Sequence, residues 1–154
     1  MARKNLTPGI SKEISMKFKK IQVIATTLFL GTGIVTTSMA DTTVIDSLIK
    51  TYQAQGATEA NPQRGEIFWN KSFPAKAPFA ERSCKTCHSA NLKNTGKHIR
   101  TGKVIEPLAP SVNPKRLTST TNIQKWLKRN CKWTAGKECS AQEKADILAF
   151  IQQQ

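Results

Sequence analysis

Ser83-Cys84-Lys85-Thr86-Cys87-His88 constrains this chain more than any other feature. Two thiols three residues apart, followed at once by an imidazole, form the C-x-x-C-H arrangement that takes covalent haem. Each thiol adds to one vinyl group of a single porphyrin. The histidine after the second thiol then lies under the iron as its proximal ligand. The competing chemistries for such a pair are half of a zinc site or a redox dithiol. The first needs a second pair of ligands and the second a βαβ setting, and the sequence supplies neither. The expected cofactor is therefore one covalent haem on Cys84 and Cys87, with His88 on the iron.

The N-terminus supports this expectation. Met16-Lys17-Phe18-Lys19-Lys20 is a positive segment, Ile21 to Val35 is apolar, and Ser38-Met39-Ala40 ends in the small residues that a signal peptidase reads. Residues 1–40 are thus expected to be a signal peptide cleaved after Ala40, with Met16 a candidate true start. The alternative is a retained membrane anchor, but fifteen apolar residues interrupted by Gln22 fall short of the roughly 20 a bilayer needs. Export to the periplasm suits covalent haem, which is attached outside the bacterial cytoplasm. An oxidising compartment also favours a disulfide between the remaining cysteines, Cys131 and Cys139, over two free thiols.

Residues 41–154 then form a single domain of 114 residues. The full chain has 24 basic and ten acidic residues, and the first forty hold six and one of these, leaving a net charge of +9. Its lysines are scattered rather than gathered into one block, and an exported protein rarely meets nucleic acid, so nucleic acid is not an expected partner. A solvated basic surface and docking to an acidic redox partner both remain open.

The periodicity is helical wherever it is sustained. Residues 42–55 carry Val44, Ile45, Leu48, Ile49 and Tyr52 on one stripe, with Gly56 as the stop. Asn61-Pro62 starts a second helix, with proline at its first position, and this helix carries Gly65, Ile67, Phe68 and Trp69. Thr121 or Asn122 is expected to cap a third, with Ile123, Trp126 and Leu127 inward. Ser140-Ala141-Gln142-Glu143 is a capping box for the last helix, which presents Ile147, Leu148, Phe150 and Ile151. Residues 70–82 and 89–117 read as loops, and no strand is evident. The long second loop needs something to wrap around, and haem would serve.

An all-α, loop-rich chain of this kind resembles the class I cytochrome c fold. In that family an N-terminal helix with a glycine and an aromatic crosses a C-terminal helix bearing an Asp-apolar-apolar-Ala-aromatic-apolar run. Gly65 with Trp69 matches the first, and Asp146-Ile147-Leu148-Ala149-Phe150-Ile151 matches the second. The helix at residues 42–55 is extra to that pattern.

Class I cytochromes usually complete the iron with methionine. Met1, Met16 and Met39 all precede the expected cleavage site, so the mature chain has none to offer. His98 is one candidate sixth ligand, ten residues after His88, although a solvated histidine is the blander reading. Asn130 is another. It falls seven positions after Ile123, in phase with Trp126 and Leu127, where an unpaired carboxamide would be costly. A helix C-cap would also account for it.

At these residues the likeness narrows. The chain resembles the sphaeroides haem protein family of monohaem c cytochromes, from about Asn61 to the C-terminus. The resemblance rests on the haem motif and on Arg100-Thr101-Gly102-Lys103-Val104-Ile105-Glu106-Pro107-Leu108-Ala109-Pro110-Ser111. Two further stretches carry it, Lys125-Trp126-Leu127-Lys128-Arg129-Asn130-Cys131 and Glu143-Lys144-Ala145-Asp146. It implies that Asn130 is the sixth ligand of ferric iron and leaves on reduction, opening the ferrous iron to O2, NO or CO, and that Cys131 and Cys139 are bridged. It also implies a dihaem cytochrome c and a membrane cytochrome b as redox partners. The function expected on this basis is periplasmic electron transfer combined with gas binding. A haem enzyme, or a gas sensor or scavenger acting on O2, NO or peroxide, is the alternative, and a bis-histidine carrier using His98 is a second. No acid–base pair of the kind a dedicated peroxidase needs stands out.

Overall fold

The computed structural model describes residues 42–154. The expected signal peptide lies outside them. Among the described residues the regular secondary structure is mainly five helices: α1 (Thr42–Ala54), α2 (Pro62–Asn70), α3 (Lys85–His88), α4 (Thr120–Ala135) and α5 (Ala141–Gln152). Among the described residues no helix is long and apolar enough to cross a membrane.

Their ends follow from local chemistry. Asn61 accepts a hydrogen bond from the Arg64 N–H and Pro62 occupies the first turn of α2, where no backbone donor is needed. Ser140 and Glu143 form the reciprocal capping box of α5. The cap of α4 is Ser119, two positions before Thr121 and three before Asn122, the two caps expected from the sequence. All of these residues can cap, and only the chain direction before the helix decides between them.

Strands are the first departure from the sequence-based reading. Two antiparallel ladders of two residues each are present, β1 (Phe73–Pro74) with β2 (Glu81–Arg82) and β3 (Gly96–Lys97) with β4 (Val104–Ile105). Each lies in a stretch expected to be loop. Two paired residues are too few to impose a period of two on the sequence, so neither hairpin could be read from hydrophobic alternation.

Helix α5 is the centre of the molecule, and α1 and α2 both pack on it. It buries Ala145, Asp146, Ile147, Leu148, Phe150 and Ile151. A Cβ on Gly65 would land on the Asp146 backbone carbonyl and the Phe150 side chain, so glycine is what lets α2 and α5 cross so closely. The core has two parts. Ile45, Leu48 and Tyr52 of α1 join Ile123, Ala145 and Leu148 in one cluster. Trp69, Leu92, Leu108, Cys131, Cys139, Ile147, Phe150 and Ile151 form the other, with Cys84 and Leu127 packed against it.

Candidate haem site

The second cluster is where the chemistry of the C-x-x-C-H motif is held. Helix α3 is a single turn, closed by the Cys87 and His88 N–H groups donating to the Cys84 carbonyl at 3.3 and 3.1 Å. Ser83 anchors its start: the Ser83 N–H donates to Thr86 Oγ1 at 2.9 Å, and the two hydroxyls are also 2.9 Å apart. The turn ends at Ser89, a non-glycine residue at φ +71°. The Trp69 indole N–H donates to the Ser89 carbonyl at 3.2 Å, and its ring lies 5.6 Å from the His88 imidazole. Trp69 therefore fixes the motif from α2.

From the other side the β3–β4 hairpin covers the turn. A Cβ on Gly96 would strike the Cys87 carbonyl and the His88 Cα, so the backbone of β3 touches the motif directly. Beyond it the long loop is pinned on Leu92, whose carbonyl accepts from the N–H groups of both Leu108 and Ala109 at 3.0 Å. Asn113 Nδ2 donates to the Pro107 carbonyl at 3.1 Å.

Burial, helped by the nearby charge of Arg116, lowers the His88 pKa to about 4. The imidazole is neutral at ordinary pH, and its Nδ1 is buried without a hydrogen-bond partner. A metal ligand needs this state, a ring with a free lone pair and no proton competing for it. Burial pushes the Cys84 thiol up to about 12. Cys84 and Cys87 are both half-buried and unbridged. Among the described residues no group of three or more His, Cys, Asp or Glu could hold a bare metal ion. Two free thiols and a neutral imidazole on one turn fit a metal that arrives within its own macrocycle.

Asn130 lies inside α4, five residues before its end at Ala135, and the helix is closed by Gly136 at φ +73°. The C-cap reading is thereby overturned: glycine, free of a Cβ, takes the left-handed cap position. Asn130 is half-buried, and its carboxamide is not among the buried polar groups left without a partner. The buried face of α4 is formed by Ile123, Cys131 and Thr134 with Leu127 half-buried, so Asn130 flanks the stripe rather than continuing it. Trp126, expected inward, is 51% exposed and lies 5.1 Å from the Arg129 guanidinium. Leu127 and Cys131, on either side of Asn130, belong to the cluster that Cys84 packs against. Cys131 and Cys139 are joined by a disulfide with a Cα separation of 5.5 Å.

His98 sits in the turn between β3 and β4. Its Nδ1 lies 2.9 Å from Thr101 Oγ1 and accepts from the Thr101 N–H at 3.2 Å, which holds the turn between β3 and β4. Three residues without a sequence signal prove to shape the site: Gly96, Arg116 and Arg82, whose Nη1 donates to the Trp133 carbonyl at 2.9 Å. A lone arginine two positions before a cysteine has nothing in its neighbourhood to mark it.

Helices crossing at a glycine, a one-turn C-x-x-C-H helix between them and a loop folded back over it define a c-type cytochrome with haem c as its cofactor. The chain belongs to the family described as domain of unknown function DUF1924, whose model matches residues 55–151. It is 37% identical over 124 residues to the cytochrome c-type protein SHP of Cereibacter sphaeroides, across 80% of this chain and 95% of that protein. The structure of oxidised SHP, described as an oxygen-binding cytochrome c, superposes with a TM-score of 0.65 at 39% identity, covering 71% of this chain and 96% of that one. The solution structure of cytochrome c'' from Methylophilus methylotrophus, solved in the context of haem-ligand detachment, matches with a TM-score of 0.64 at 34% identity. It covers 74% of this chain and 96% of that one.

Proposed function

We propose that this cytochrome is a periplasmic electron carrier whose sixth iron ligand is released on reduction, and that the open ferrous site binds small gases. In this reading Cys84 and Cys87 carry the haem, His88 is the proximal ligand and Asn130 the ligand of the ferric state. Bound haem supplies one-electron chemistry at its iron; everything else is the work of the chain. His88 stays neutral and available because it is buried. Trp69 and Gly96 hold the turn that bears it. Asn130 offers a carboxamide oxygen, a hard and weak donor that suits ferric better than ferrous iron.

The observation that carries the proposal is the position of Asn130, half-buried within α4 and next to Cys131, which lies in the same core cluster that Cys84 packs against. A carboxamide not already committed to a hydrogen bond is free to offer its oxygen to an iron beside the helix. Two relatives add support: SHP is described as oxygen-binding, and cytochrome c'' is associated with haem-ligand detachment. Export by residues 1–40, and exchange of electrons with a dihaem cytochrome c and a membrane cytochrome b, belong to the same proposal. NO and CO are the further gases an open ferrous iron would take.

Optical spectra of the haem-loaded protein test it. The ferrous form should be high-spin and bind carbon monoxide readily. Asn130→Ala should alter the ferric spectrum and His98→Ala should leave it unchanged. The reverse pattern, with a low-spin ferrous form closed to carbon monoxide, would identify a bis-histidine electron carrier instead.

A further inference from the structure

Arg82 joins the segment that bears the haem motif to the helix that bears Asn130. It closes the β1–β2 hairpin opposite Phe73, and two positions later Cys84 begins the motif. Its Nη1 donates at 2.9 Å to the Trp133 carbonyl. That carbonyl belongs to the last turn of α4, where four acceptors lack intrahelical donors and the helix dipole presents its negative end. The guanidinium carbon also sits 4.2 Å from the Trp133 ring centroid and 5.3 Å from that of Phe79, which meets Trp133 edge-on at 6.2 Å. The arginine is thus stacked, charge-paired to a helix end and gripped by two rings at once.

One feature argues against a merely space-filling role. The Arg82 Nε is buried with no hydrogen-bond partner. An unpaired buried donor destabilises, and a leucine or methionine would fill the gap without it. The cation is retained for the carbonyl and the rings.

We infer that Arg82 is a positioning residue for the sixth iron ligand: it fixes α4 against the haem-motif segment and so sets the reach of Asn130. The inference rests on the ligand role proposed for Asn130. Trp133 lies three residues beyond Asn130, less than one helical turn. Coordination bonds tolerate displacements of only about 0.2 Å. A weak donor carried by a helix is therefore sensitive to how the end of that helix is held. His88, within the motif itself, is not.

The test compares wild type, Arg82→Gln, Arg82→Lys and Asn130→Ala as haem-loaded proteins. Ferric spin state, reduction potential and imidazole affinity of the ferric iron are measured, with haem content and circular dichroism confirming folding. Arg82→Gln should shift the ferric spectrum towards high-spin and tighten imidazole binding by about tenfold, the scale of one charge-assisted hydrogen bond. Its potential should rise, because a ligand that favours ferric iron has been weakened. Loss of a nearby positive charge alone would lower it. Arg82→Lys, which keeps the charge but not the stacked fork, should fall between. Should Arg82→Gln fail to fold, Trp133→Leu removes the stack and should give the same direction of change. An unchanged ferric spectrum in the Arg82 and Trp133 variants, with Asn130→Ala altered, overturns the role of Arg82 alone. An unchanged spectrum in Asn130→Ala overturns it together with the ligand assignment.

Discussion

Asp146 accepts hydrogen bonds from the Asn61 N–H at 2.7 Å, from Arg64 Nε and Nη2 at 2.8 and 2.9 Å and from Gln142 Nε2 at 2.9 Å. Its side chain is buried, while that of Arg64 is 48% exposed. Burial alone would raise the carboxyl, but the Arg64 guanidinium, the Asn61 N–H and the Gln142 amide outweigh it and hold the pKa below the ordinary carboxylate value. A carboxylate depressed in the folded state stabilises fully above its unfolded pKa, and that contribution is lost as pH falls through the folded value. Asp146 is also the residue whose backbone meets Gly65, so one position fixes the α2–α5 crossing by both its carbonyl and its charge. We expect Asp146→Asn to destabilise the fold at neutral pH, since a neutral amide accepts from Asn61, Arg64 and Gln142 more weakly and brings N–H donors of its own into a site that already holds only donors. The difference from wild type should begin to shrink below about pH 4, where the unfolded carboxyl takes up its proton, and disappear only as pH falls through the lower folded value. Chemical denaturation across pH measures both, and a gap that stayed constant into acid would show that the charge is not what holds the crossing.

At the scale of elements, α4 carries the candidate ligand and is tied down at its far end twice, by Arg82 on the Trp133 carbonyl and by the Cys131–Cys139 bridge next to Asn130. Removing the bridge by Cys131→Ser with Cys139→Ser should destabilise the fold by about 2–3 kcal/mol, the loop-closure value for so short a ring. The ferric iron should at the same time exchange its sixth ligand for imidazole more readily, while covalent haem is retained. Equal ligand exchange with and without the bridge would show that Arg82 and packing suffice. How much of this element could be read beforehand follows from what its residues do locally. The helices were legible because Asn61-Pro62 and the Ser140–Glu143 box act through their nearest neighbours. The haem motif was legible because its spacing is itself the chemistry. Trp126 was misplaced because a period of 3.6 gives a stripe without saying which of its edges the partner covers. Arg82 and Gly96 were invisible, since the partner of Arg82 lies 51 residues away and those of Gly96, Cys87 and His88, lie beyond its local turn, and no local pattern requires them.

At the scale of the described molecule, the charges nearest the haem motif are basic. Lys97, Arg100 and Lys103 are exposed on the β3–β4 hairpin, the element whose backbone touches Cys87 and His88. Arg116 lies close enough to His88 to disfavour its protonation. Among the described residues only two ion pairs form, Arg64–Asp146 and Lys144–Glu138, and neither neutralises this region. A positive field around the haem motif should attract anionic electron donors and leave neutral ones indifferent, and salt should screen the difference. The expected result is that reduction of the ferric protein by photoreduced flavin mononucleotide, an anion, slows at least about threefold as ionic strength rises from roughly 0.01 M to 1 M, over which the Debye length falls from about 30 to 3 Å. Reduction by neutral lumiflavin should stay level. Charge reversal at Lys97, Arg100 and Lys103 should flatten or invert the first dependence, whereas reversal at Lys50, on α1, should not. A flavin mononucleotide rate indifferent to salt would mean that electrons enter by a neutral face, and that the basic surface of this hairpin is solvated rather than a docking site for an acidic partner.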